Sequence, residues 1–511
     1  MKILRTLLIF LLPTLSLAQN PGDQIFTENQ VLTIDLQFSQ PGFWDSLVLN
    51  YETETYMKAE VTITDNSGDT TYSEIGIRLK GNSSYGHPGD KKSFKLDFNR
   101  YIDTFDYDGL KKLNFNNCFK DPTFMREKIF YDICKADNIN APRINYANVY
   151  MNDIFWGFYT VVEQVDDEFL KSHFDDRSEN LFKAGDAFGM GGPTDEADLK
   201  YYGTNQLDYD GKYTLENNTD ENNWSDLINL LDFINNSTDE VFAAELSQHF
   251  NVEQLMKCFA LSNLFANLDS YLNSARNYYI YNKDSTGIWE WINWDCNEAF
   301  GSYPAGGAVT NMTELDPHYF ALNRPLLERI VSVESTKLIY DEYFCSLRSA
   351  YFSDSYIQTQ TDLLYSLIQP HVYNDENKMY TDANFDTNIE SDITVGGGPG
   401  GGTIYGLKSF VSERNVWLEN VIDCSEIAND IIENSEIKLQ IYPNPVQDIL
   451  NLEYGELLDS PVLTILNMEG IVLFNITLPE PTLNVSQLPA GIYVLRIESE
   501  GDSFCTSFIK M

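Results

Sequence analysis

Alternating hydrophobic and polar positions dominate the first part of the chain. Residues 57–80, MKAEVTITDNSGDTTYSEIGIRLK, consist of two such runs on either side of Asn66-Ser67-Gly68-Asp69. A period of two residues around a short polar turn with glycine is typical of a β-hairpin. The pattern therefore predicts two antiparallel strands joined near residue 67.

A further strand pattern lies at 91–98, KKSFKLDF. Its apolar residues share one face with Lys92, whereas Lys95 lies on the opposite face, because successive side chains of a strand point to opposite sides. Together with the hairpin, this run predicts that the chain opens with a small antiparallel sheet.

Helical spacing replaces the alternation in later segments. Residues 121–138, DPTFMREKIFYDICKADN, predict a helix with Asp121 as its N-cap and Pro122 in its first turn. Further helical patterns lie at 226–275, 323–370 and 406–422. NYYIYN and IWEWINW, separated by KDSTG, predict a second pair of strands.

The character of the chain changes again after about residue 425. From YPNP at 442–445 onward, short alternating runs such as ILNLEY, VLTILN and IYVLRIE are separated by Pro, Gly and Asn. This spacing is typical of a small β-sandwich. The predicted fold class is therefore α+β, followed by a small all-β sandwich domain.

Charge restricts the partners of this chain. It carries 77 acidic and 34 basic residues, a formal net charge of −43. Such a surface repels nucleic acid and anionic membranes, so no nucleic-acid partner is expected. ATP is also an anion, and a site for it would need local Lys and Arg or a bound metal to offset the negative field of the chain.

The seven cysteines contain no CxxC pair, which disfavours a zinc site.

The N-terminus predicts export. Residues 1–18, MKILRTLLIFLLPTLSLA, combine Lys2 and Arg5 with an apolar run and the small-residue site Ser16-Leu17-Ala18, which is typical of a secretory signal peptide. No later segment has 18 or more consecutive apolar residues, so no transmembrane segment is expected.

Charged residues at the ends of apolar runs indicate a phosphoryl-transfer site. In chain order they are Lys92 or Lys95, Asp269, Asn273 or Asn277, and Asp295. Protein kinases order a strand lysine, a catalytic Asp, an Asn and a metal-binding Asp in this way. These groups steady the phosphates, orient the attacking hydroxyl and hold the metal. The chain has neither an HRD nor a contiguous DFG motif.

Specific blocks strengthen this interpretation. RLKGNSSYGHPGDKKSFKLDF at 78–98 resembles the R-x-(R/K)-G-N-S-S and K-K-S block of the CotH family of secreted kinases. DPTFMREKIFYDIC, WGFYTVVEQVDDEFL, NLDSYLNSARNYYIY and WINWDCNEAFG are similar to later blocks of that family, in the same order. The resemblance covers roughly residues 30–420. It implies an atypical, two-lobed kinase-like domain that transfers the γ-phosphate of ATP to Ser, Thr or another hydroxyl, with Mg²⁺ or Mn²⁺.

The resemblance also implies roles for individual residues. Asp269 would be the catalytic residue. The metal would be held by Asp295, Asn273, Asn277 and Asn297. The nucleotide would be bound by Lys92, Lys95, Gly81, Asn82, Ser83, Ser84 and Glu163. Two positions depart from the family pattern: Asn297 stands where an Asp is frequent and brings less charge to a metal, and Arg276 stands where His is frequent.

Each candidate also has a structural interpretation. Asp269 and Asp295 are compatible with turn-capping residues, Glu163 with the N-cap of the next helix, and Lys92 and Lys95 with a basic strand edge. Two functions remain: a kinase that modifies surface or secreted proteins, and a surface scaffold or adhesin that binds cations or matrix. The kinase hypothesis predicts that the side chains of Asp269 and Asp295 converge on one cleft.

The C-terminal module resembles a second known type of domain. YPNP, LPAGIYVLRIE and the final FIKM are similar to the type IX secretion sorting domain. This resemblance implies a bacterial protein that is secreted or attached to the cell surface and has the type IX machinery as a partner. The predicted domains are a signal peptide at 1–18, a CotH-like kinase domain at 19–424, a linker at 425–436 and the β-sandwich sorting domain at 437–511.

Overall fold

The computed structural model of the chain describes most of its residues. These are 20–185, 196–283, 287–303, 309–396 and 402–425, and, towards the C-terminus, 440–442, 444, 446–453, 462–467, 472–477, 482–489, 491–499 and 502–510. The chain divides into two compact units, residues 1–423 and 424–511. The predicted signal peptide and residues 426–436 of the predicted linker lie outside the described residues.

A closed seven-stranded barrel begins the first unit. Its strands are β1 (Val31–Gln37), β2 (Met57–Asp65), β3 (Gly68–Lys80), β4 (Ser93–Asp97), β5 (Lys112–Asn116), β6 (Ile144–Met151) and β7 (Ile154–Glu163). Neighbouring strands follow the order β1-β2-β3-β4-β5-β7-β6. All pairs are antiparallel except β1 with β6, which is parallel and closes the barrel.

The predicted hairpin is confirmed. β2 and β3 pair down to Asp65 opposite Gly68, so Asn66 and Ser67 form the turn. The sequence predicted a small antiparallel sheet, whereas the structure has a closed barrel. The reason is the parallel pairing of β1 with β6, a contact between distant segments that no local pattern reports.

Helices and a second sheet complete the first unit. The helices are α1 (Phe43–Leu49), α2 (Arg126–Ala136), α3 (Asp167–Phe174), α4 (Ser225–Asn236), α5 (Asp239–His249), α6 (Val252–Leu264), α7 (Pro325–Ser332), α8 (Glu334–Tyr351), α9 (Asp354–Asn374), α10 (Asp382–Glu390) and α11 (Leu407–Leu418). A four-stranded sheet with the order β11-β10-β8-β9 is formed by β8 (Leu181–Ala184), β9 (Tyr213–Leu215), β10 (Tyr278–Lys283) and β11 (Ile288–Asn293). A short ribbon pairs β12 (Ile393–Val395) with β13 (Gly402–Ile404). Within the described residues, no helix is both long enough and apolar enough to cross a membrane.

Helix α2 begins later than the sequence predicted. Asp121 is not its N-cap, because α2 starts at Arg126 with Met125 as N-cap. The Asp121 carboxylate instead accepts hydrogen bonds from the backbone amide of Thr123 at 3.0 Å and from that of Arg126 at 2.9 Å. Phe124 has a φ of 59°, which turns the chain before the helix starts. The Asp-Pro pair therefore stabilises the loop that leads into α2.

The second unit contains two antiparallel sheets. Its strands are β14 (Gln440–Tyr442), β15 (Ile449–Glu453), β16 (Val462–Asn467), β17 (Val472–Thr477), β18 (Thr482–Asn484), β19 (Gly491–Ser499) and β20 (Asp502–Lys510). One sheet has the order β14-β15-β18 and the other β17-β16-β19-β20. Leu450 and Leu452 of the first sheet share a core with Leu463 and Leu495 of the second, which is the packing of a small sandwich.

The outer face of the barrel positions the candidate site. Leu79, Phe94 and Phe115 fill the interior, where the rings of Phe94 and Phe115 stack at 4.6 Å. Side chains alternate between the two faces of a strand, so the neighbouring polar residues lie on the outside. Arg78, Lys95 and Asn114 lie side by side there, on β3, β4 and β5. Strand alternation thus builds a polar, cationic wall on an apolar barrel.

Candidate active site

A polar cavity of about 530 Å³ lies against this outer wall. Its other sides come from the loop after β3, the loop after α6 that spans 269–277, and the turn after β11. Nine of the predicted site residues line it: Gly81, Asn82, Ser83, Ser84, Lys95, Asp269, Asn277, Asp295 and Asn297. Asp269 and Asp295 thus line one cleft, and a separation of their carboxylates that a single metal could bridge stays a prediction.

Asp269 is held by its own loop. Asn277 Nδ2 donates hydrogen bonds to Asp269 Oδ2 at 3.0 Å and to the main-chain oxygen of Asp269 at 2.7 Å. Arg276 Nε lies 3.6 Å from Asp269 Oδ1. Burial raises the pKa of Asp269, while Arg276, Ser274, Lys120 and Asn277 act in the opposite direction. The loop thus presents a desolvated carboxylate with defined orientation.

Asp295 stands at a sharp change of chain direction. It follows β11 with a φ of 52° and precedes a 3₁₀ helix, Cys296–Glu298. This left-handed conformation is uncommon outside glycine but is tolerated by Asp and Asn. It places the carboxylate at the cavity wall, because the chain turns instead of continuing the strand. Asn297 also lines the cavity, and its Nδ2 donates to the main-chain oxygen of Phe119 at 3.0 Å.

Glu298 is a third carboxylate at the cavity that sequence reasoning missed. It is buried and accepts a hydrogen bond from Lys120 Nζ at 2.6 Å. Burial, followed by repulsion from Asp269, raises the pKa of Glu298 to about 8, with Asp295 adding to the rise and Lys120 opposing it. Three carboxylates therefore crowd one side of the cavity, an arrangement that a divalent cation stabilises.

Five cationic side chains line the same cavity in a strongly acidic chain. They are Arg78, Lys80, Lys95, Lys183 and Arg276. Burial, followed by the charges of Lys80 and Arg78, lowers the pKa of Lys95 to about 7. Such mutual repulsion favours a bound anion, because an anion would stabilise the charged form of each side chain.

Lys80 interacts electrostatically with Asp295 and with Glu127 of helix α2. Its Nζ donates to Asn114 Oδ1 at 3.1 Å, and Asn116 Nδ2 donates to Glu127 Oε2 at 3.1 Å. Burial lowers the pKa of Lys80, whereas Asp295 and Glu127 raise it. Burial and Asp295 raise the pKa of Glu127. Sequence reasoning missed both residues, although counting by twos along β3 places Lys80 on the face of Arg78.

Comparison with known proteins agrees with this geometry. The model of the family described as CotH kinase protein matches residues 77–396, which covers the cavity walls from β3 to the turn after β11. The protein belongs to the CotH kinase protein family. Over 319 residues it is 24% identical to the inner spore coat protein H of Bacillus subtilis (strain 168), which covers 61% of this chain and 82% of that protein.

The C-terminal unit of this CotH-family chain matches a different model. Residues 440–511 match the secretion system C-terminal sorting domain. A sorting domain of this kind implies involvement of the type IX secretion machinery and a secreted or cell-surface location in bacteria.

The loop that covers the cavity is held in place by contacts outside it. Gly81 has a φ of 99°, and a Cβ added there would lie 2.2 Å from Ser84 Oγ, so only glycine fits. Tyr51 Oη donates to the main-chain oxygen of Gly81 at 2.5 Å, and its ring stacks on Tyr85 at 3.4 Å. These contacts hold the start of the GNSS segment against the cavity.

Lys92 does not line the cavity of this CotH-family protein. Its Nζ donates to the main-chain oxygen of Tyr85 at 2.7 Å and to that of His87. Lys92 precedes the first residue of β4, Ser93, so its side chain turns toward the loop instead of following the strand. Its contacts are those of a loop-holding residue.

Glu163 and Asn273 also lie outside the cavity lining. Glu163 is fully buried and forms an ion pair with Arg143, whose Nε lies 3.0 Å from Glu163 Oε2. The carboxylate is thereby occupied at the end of β7. Asn273 Oδ1 accepts a hydrogen bond from Tyr319 Oη at 2.9 Å.

In the part of the chain that the structure describes, no group of three or more His, Cys, Asp and Glu side chains is arranged to hold a metal ion.

Proposed function

We propose that this protein is a secreted atypical kinase that transfers the γ-phosphate of ATP to a Ser, Thr or other hydroxyl on surface or secreted proteins. One observation carries the proposal: Asp269 and Asp295 line the same cavity as five cationic side chains, in a chain with a net charge of −43. On the barrel wall, Lys95 is buried beside the charges of Lys80 and Arg78, so an anion bound there would stabilise their charged forms. Membership of the CotH kinase family supports the same activity.

The cationic wall suits the phosphates of the nucleotide. Arg78, Lys80 and Lys95 lie next to one another on β3 and β4 and face the cavity. Segment 81–84 lies at the cavity rim, where its backbone and the hydroxyls of Ser83 and Ser84 are available to phosphate oxygens. Phosphoryl transfer relies mainly on such positioning and charge stabilisation. We assign phosphate binding to Lys80 and Lys95, and loop support to Lys92.

The acidic side of the cavity fits a divalent cation. Burial, followed by repulsion from Asp269 and Asp295, raises the pKa of Glu298, so a bound cation would offset the repulsion among these carboxylates. Asp295 would hold the metal with the amide oxygens of Asn297 and Asn277, and oxygen ligands are those that Mg²⁺ and Mn²⁺ prefer. When bound, the metal would neutralise phosphate charge during transfer.

Asp269 would act on the acceptor hydroxyl. Its buried carboxylate, held by Asn277, would orient the hydroxyl and accept its proton as the oxygen attacks the γ-phosphorus. The new bond joins the acceptor oxygen to phosphorus, the bond to the β-phosphate oxygen breaks, and ADP leaves. The elevated pKa of Asp269 favours proton acceptance.

The two parts of the first unit would correspond to the lobes of a kinase-like fold. The barrel carries the cationic wall, while the segments after α6 and β11 carry Asp269 and Asp295. Binding a nucleotide between such parts is the arrangement that the family resemblance implies. The sorting domain would bring this activity to acceptors on the cell surface or in the medium.

A second candidate function rests on Asn297. Its amide adds no negative charge, and its nitrogen is bound to the main-chain oxygen of Phe119. A surface scaffold that binds nucleotide or cations without transferring phosphate would tolerate this weaker metal site. Both functions predict binding of nucleotide or cations, but only the kinase transfers phosphate.

The test is transfer of labelled phosphate by the mature chain, residues 19–511. The protein would be incubated with γ-labelled ATP, Mg²⁺ or Mn²⁺ and a panel of generic protein acceptors, and metal-dependent ATP binding would be measured in parallel. We expect labelled acceptor protein. Binding without label across the panel would favour the scaffold, and absence of both would contradict a nucleotide site.

A further inference from the structure

A buried arginine that does not line the cavity contacts the loop of Asp269. Arg324 is 1% exposed and lies just before helix α7. Its Nε donates to the main-chain oxygen of Tyr271 at 2.8 Å, and one of its terminal nitrogens donates to that of Asn273. Both acceptors lie inside loop 269–277.

The other contacts of Arg324 join it to its own segment and to Glu196. Its second terminal nitrogen donates to the main-chain oxygen of Asn323 at 2.8 Å and forms an ion pair with Glu196 at 3.2 Å. One planar guanidinium therefore joins two separate chain segments through their carbonyl groups. Only arginine has five donors in a rigid planar arrangement.

Two neighbours of Arg324 reinforce this connection. The backbone amide of Ala321 donates to the main-chain oxygen of Leu272 at 2.8 Å. Tyr319 Oη donates to Asn273 Oδ1 at 2.9 Å. Segment 319–324 thus contacts three consecutive residues of the loop, 271–273.

The loop requires such support because its backbone is strained. Ala275 has a φ of 53° and Asn277 a φ of 59°. The left-handed conformation is unfavourable for alanine, so the surrounding contacts must hold the loop in it. Arg324 does not line the cavity, so it acts on the site only through the loop.

We propose that Arg324 is a positioning residue for Asp269: by binding the carbonyl groups of Tyr271 and Asn273, it holds loop 269–277 in the conformation that presents the Asp269 carboxylate to the acceptor hydroxyl. This proposal rests on the proposed kinase function. It separates two contributions within the site, since the barrel wall holds the nucleotide and Arg324 fixes the loop that acts on the acceptor.

The chain contains a matched control. Arg414 is also fully buried, and it donates to main-chain oxygens at Leu264, Leu315 and Asn263, at 2.8, 2.8 and 3.1 Å. None of these acceptors belongs to loop 269–277. Replacing either arginine leaves buried carbonyl groups without a partner, so both changes destabilise the fold, but only the change at Arg324 releases the loop.

The test compares Arg324→Gln, Arg324→Lys and Arg414→Gln in the mature chain. For each variant we would measure the melting temperature, kcat and KM for ATP, corrected for the folded fraction. We expect Arg324→Gln to lower kcat roughly 10- to 100-fold, because small misplacements of catalytic groups have effects of this size, with the KM for ATP nearly unchanged. Arg324→Lys should recover part of kcat, and Arg414→Gln should lose stability but keep kcat.

A second readout does not depend on turnover. Hydrogen exchange of the backbone amides in 269–277 should be faster in both Arg324 variants than in wild type and unchanged in Arg414→Gln. Equal exchange in this loop for all three variants, or a rise in KM with kcat intact, would overturn the role of Arg324. If wild type transferred no phosphate, the proposed function would fail, and the exchange experiment would still decide whether Arg324 holds the loop.

Discussion

Asn277 and Asp269 close the candidate catalytic loop on itself: Asn277 Nδ2 donates to both the carboxylate and the main-chain oxygen of Asp269. The contact joins the two ends of loop 269–277, each of which lines the cavity. An Asp side chain held by a neighbouring amide keeps one orientation, which proton acceptance from a bound hydroxyl requires.

Replacement of Asn277 by alanine should therefore impair transfer. We expect Asn277→Ala to lower kcat roughly 10- to 100-fold, through misplacement of Asp269 and loss of the amide oxygen assigned to the metal. Asn138 provides the control, because it is exposed and has a similar φ of 54°. Asn138→Ala introduces the same backbone strain, about 1–2 kcal/mol, without touching Asp269. Equal losses of kcat in the two variants would contradict a specific role for the Asn277 contact.

Removing one cation from the barrel wall should stabilise the folded protein. Burial and the neighbouring charges lower the pKa of Lys95 to about 7 from its ordinary value of 10.5. Between pH 7 and 10.5 the folded state therefore binds fewer protons than the unfolded state. Below pH 7 Lys95 is charged in both states, and the folded protein bears the full free-energy cost of a buried charge. We expect Lys95→Met to raise the free energy of unfolding by roughly 1 kcal/mol or more at pH 6.

The pH dependence of the stability gained in Lys95→Met tests this prediction. Denaturant unfolding of wild type and Lys95→Met should show a difference that shrinks as the pH approaches 10.5, the ordinary pKa of lysine. Lys58→Met is the control, because Lys58 lies half exposed on strand β2 and pairs with Glu74 at the surface. A destabilised Lys95→Met variant would show that no electrostatic cost is stored at this wall.

ATP affinity should weaken as the pH rises above neutrality. The free protein loses the charge on Lys95 above about pH 7, whereas bound phosphates favour the charged form. Binding above this pH must therefore take up a proton. Lys80 acts in the same direction, because its pKa is also lowered. Calorimetric titration from pH 7 to about 9 should show falling affinity, by at most tenfold per pH unit for each proton taken up. Lys95→Arg should flatten the curve, and an unchanged curve would exclude Lys95 as a phosphate contact.

Lys92 and Lys95 should differ in their effects although they lie only three positions apart in the sequence. Lys92 binds the main-chain oxygens of Tyr85 and His87, so Lys92→Met should make segment 81–90 more susceptible to limited proteolysis. Lys95 lines the cavity, so Lys95→Met should weaken ATP binding without exposing the loop. Identical cleavage rates in both variants would contradict the assignment of Lys92 to loop support.

Local patterns predicted those parts of the site that depend on alternation and turns. The hairpin at residues 66–67 and the outward face of Lys95 follow from a period of two. Asp295 was identifiable because a carboxylate ends an apolar strand, and the structure explains that position by its left-handed turn. These features need no knowledge of distant segments.

Contacts between distant segments account for what the sequence did not reveal. Glu298 becomes part of the site because it is buried against Lys120 and close to Asp269. Glu127 does not line the cavity, but its carboxylate is bound to Asn116 of β5 and acts on the pKa of Lys80. Asn273 was expected to hold metal, but its oxygen is bound to Tyr319. Glu163 was expected to contact the nucleotide, but it is paired with Arg143. Residue type and order along the chain do not reveal whether such a polar side chain faces the cavity or is already bound to another side chain of the protein.

The most direct test of the central claim is phosphate transfer and ATP binding measured together on wild type, Asp269→Asn, Asp295→Ala and the exposed control Asp354→Asn. If Asp269 acts on the acceptor and Asp295 holds the metal, Asp269→Asn should keep metal-dependent ATP binding and lose transfer. Asp295→Ala should lose both, and the control should match wild type. Transfer at the wild-type rate by Asp269→Asn and Asp295→Ala would contradict the account.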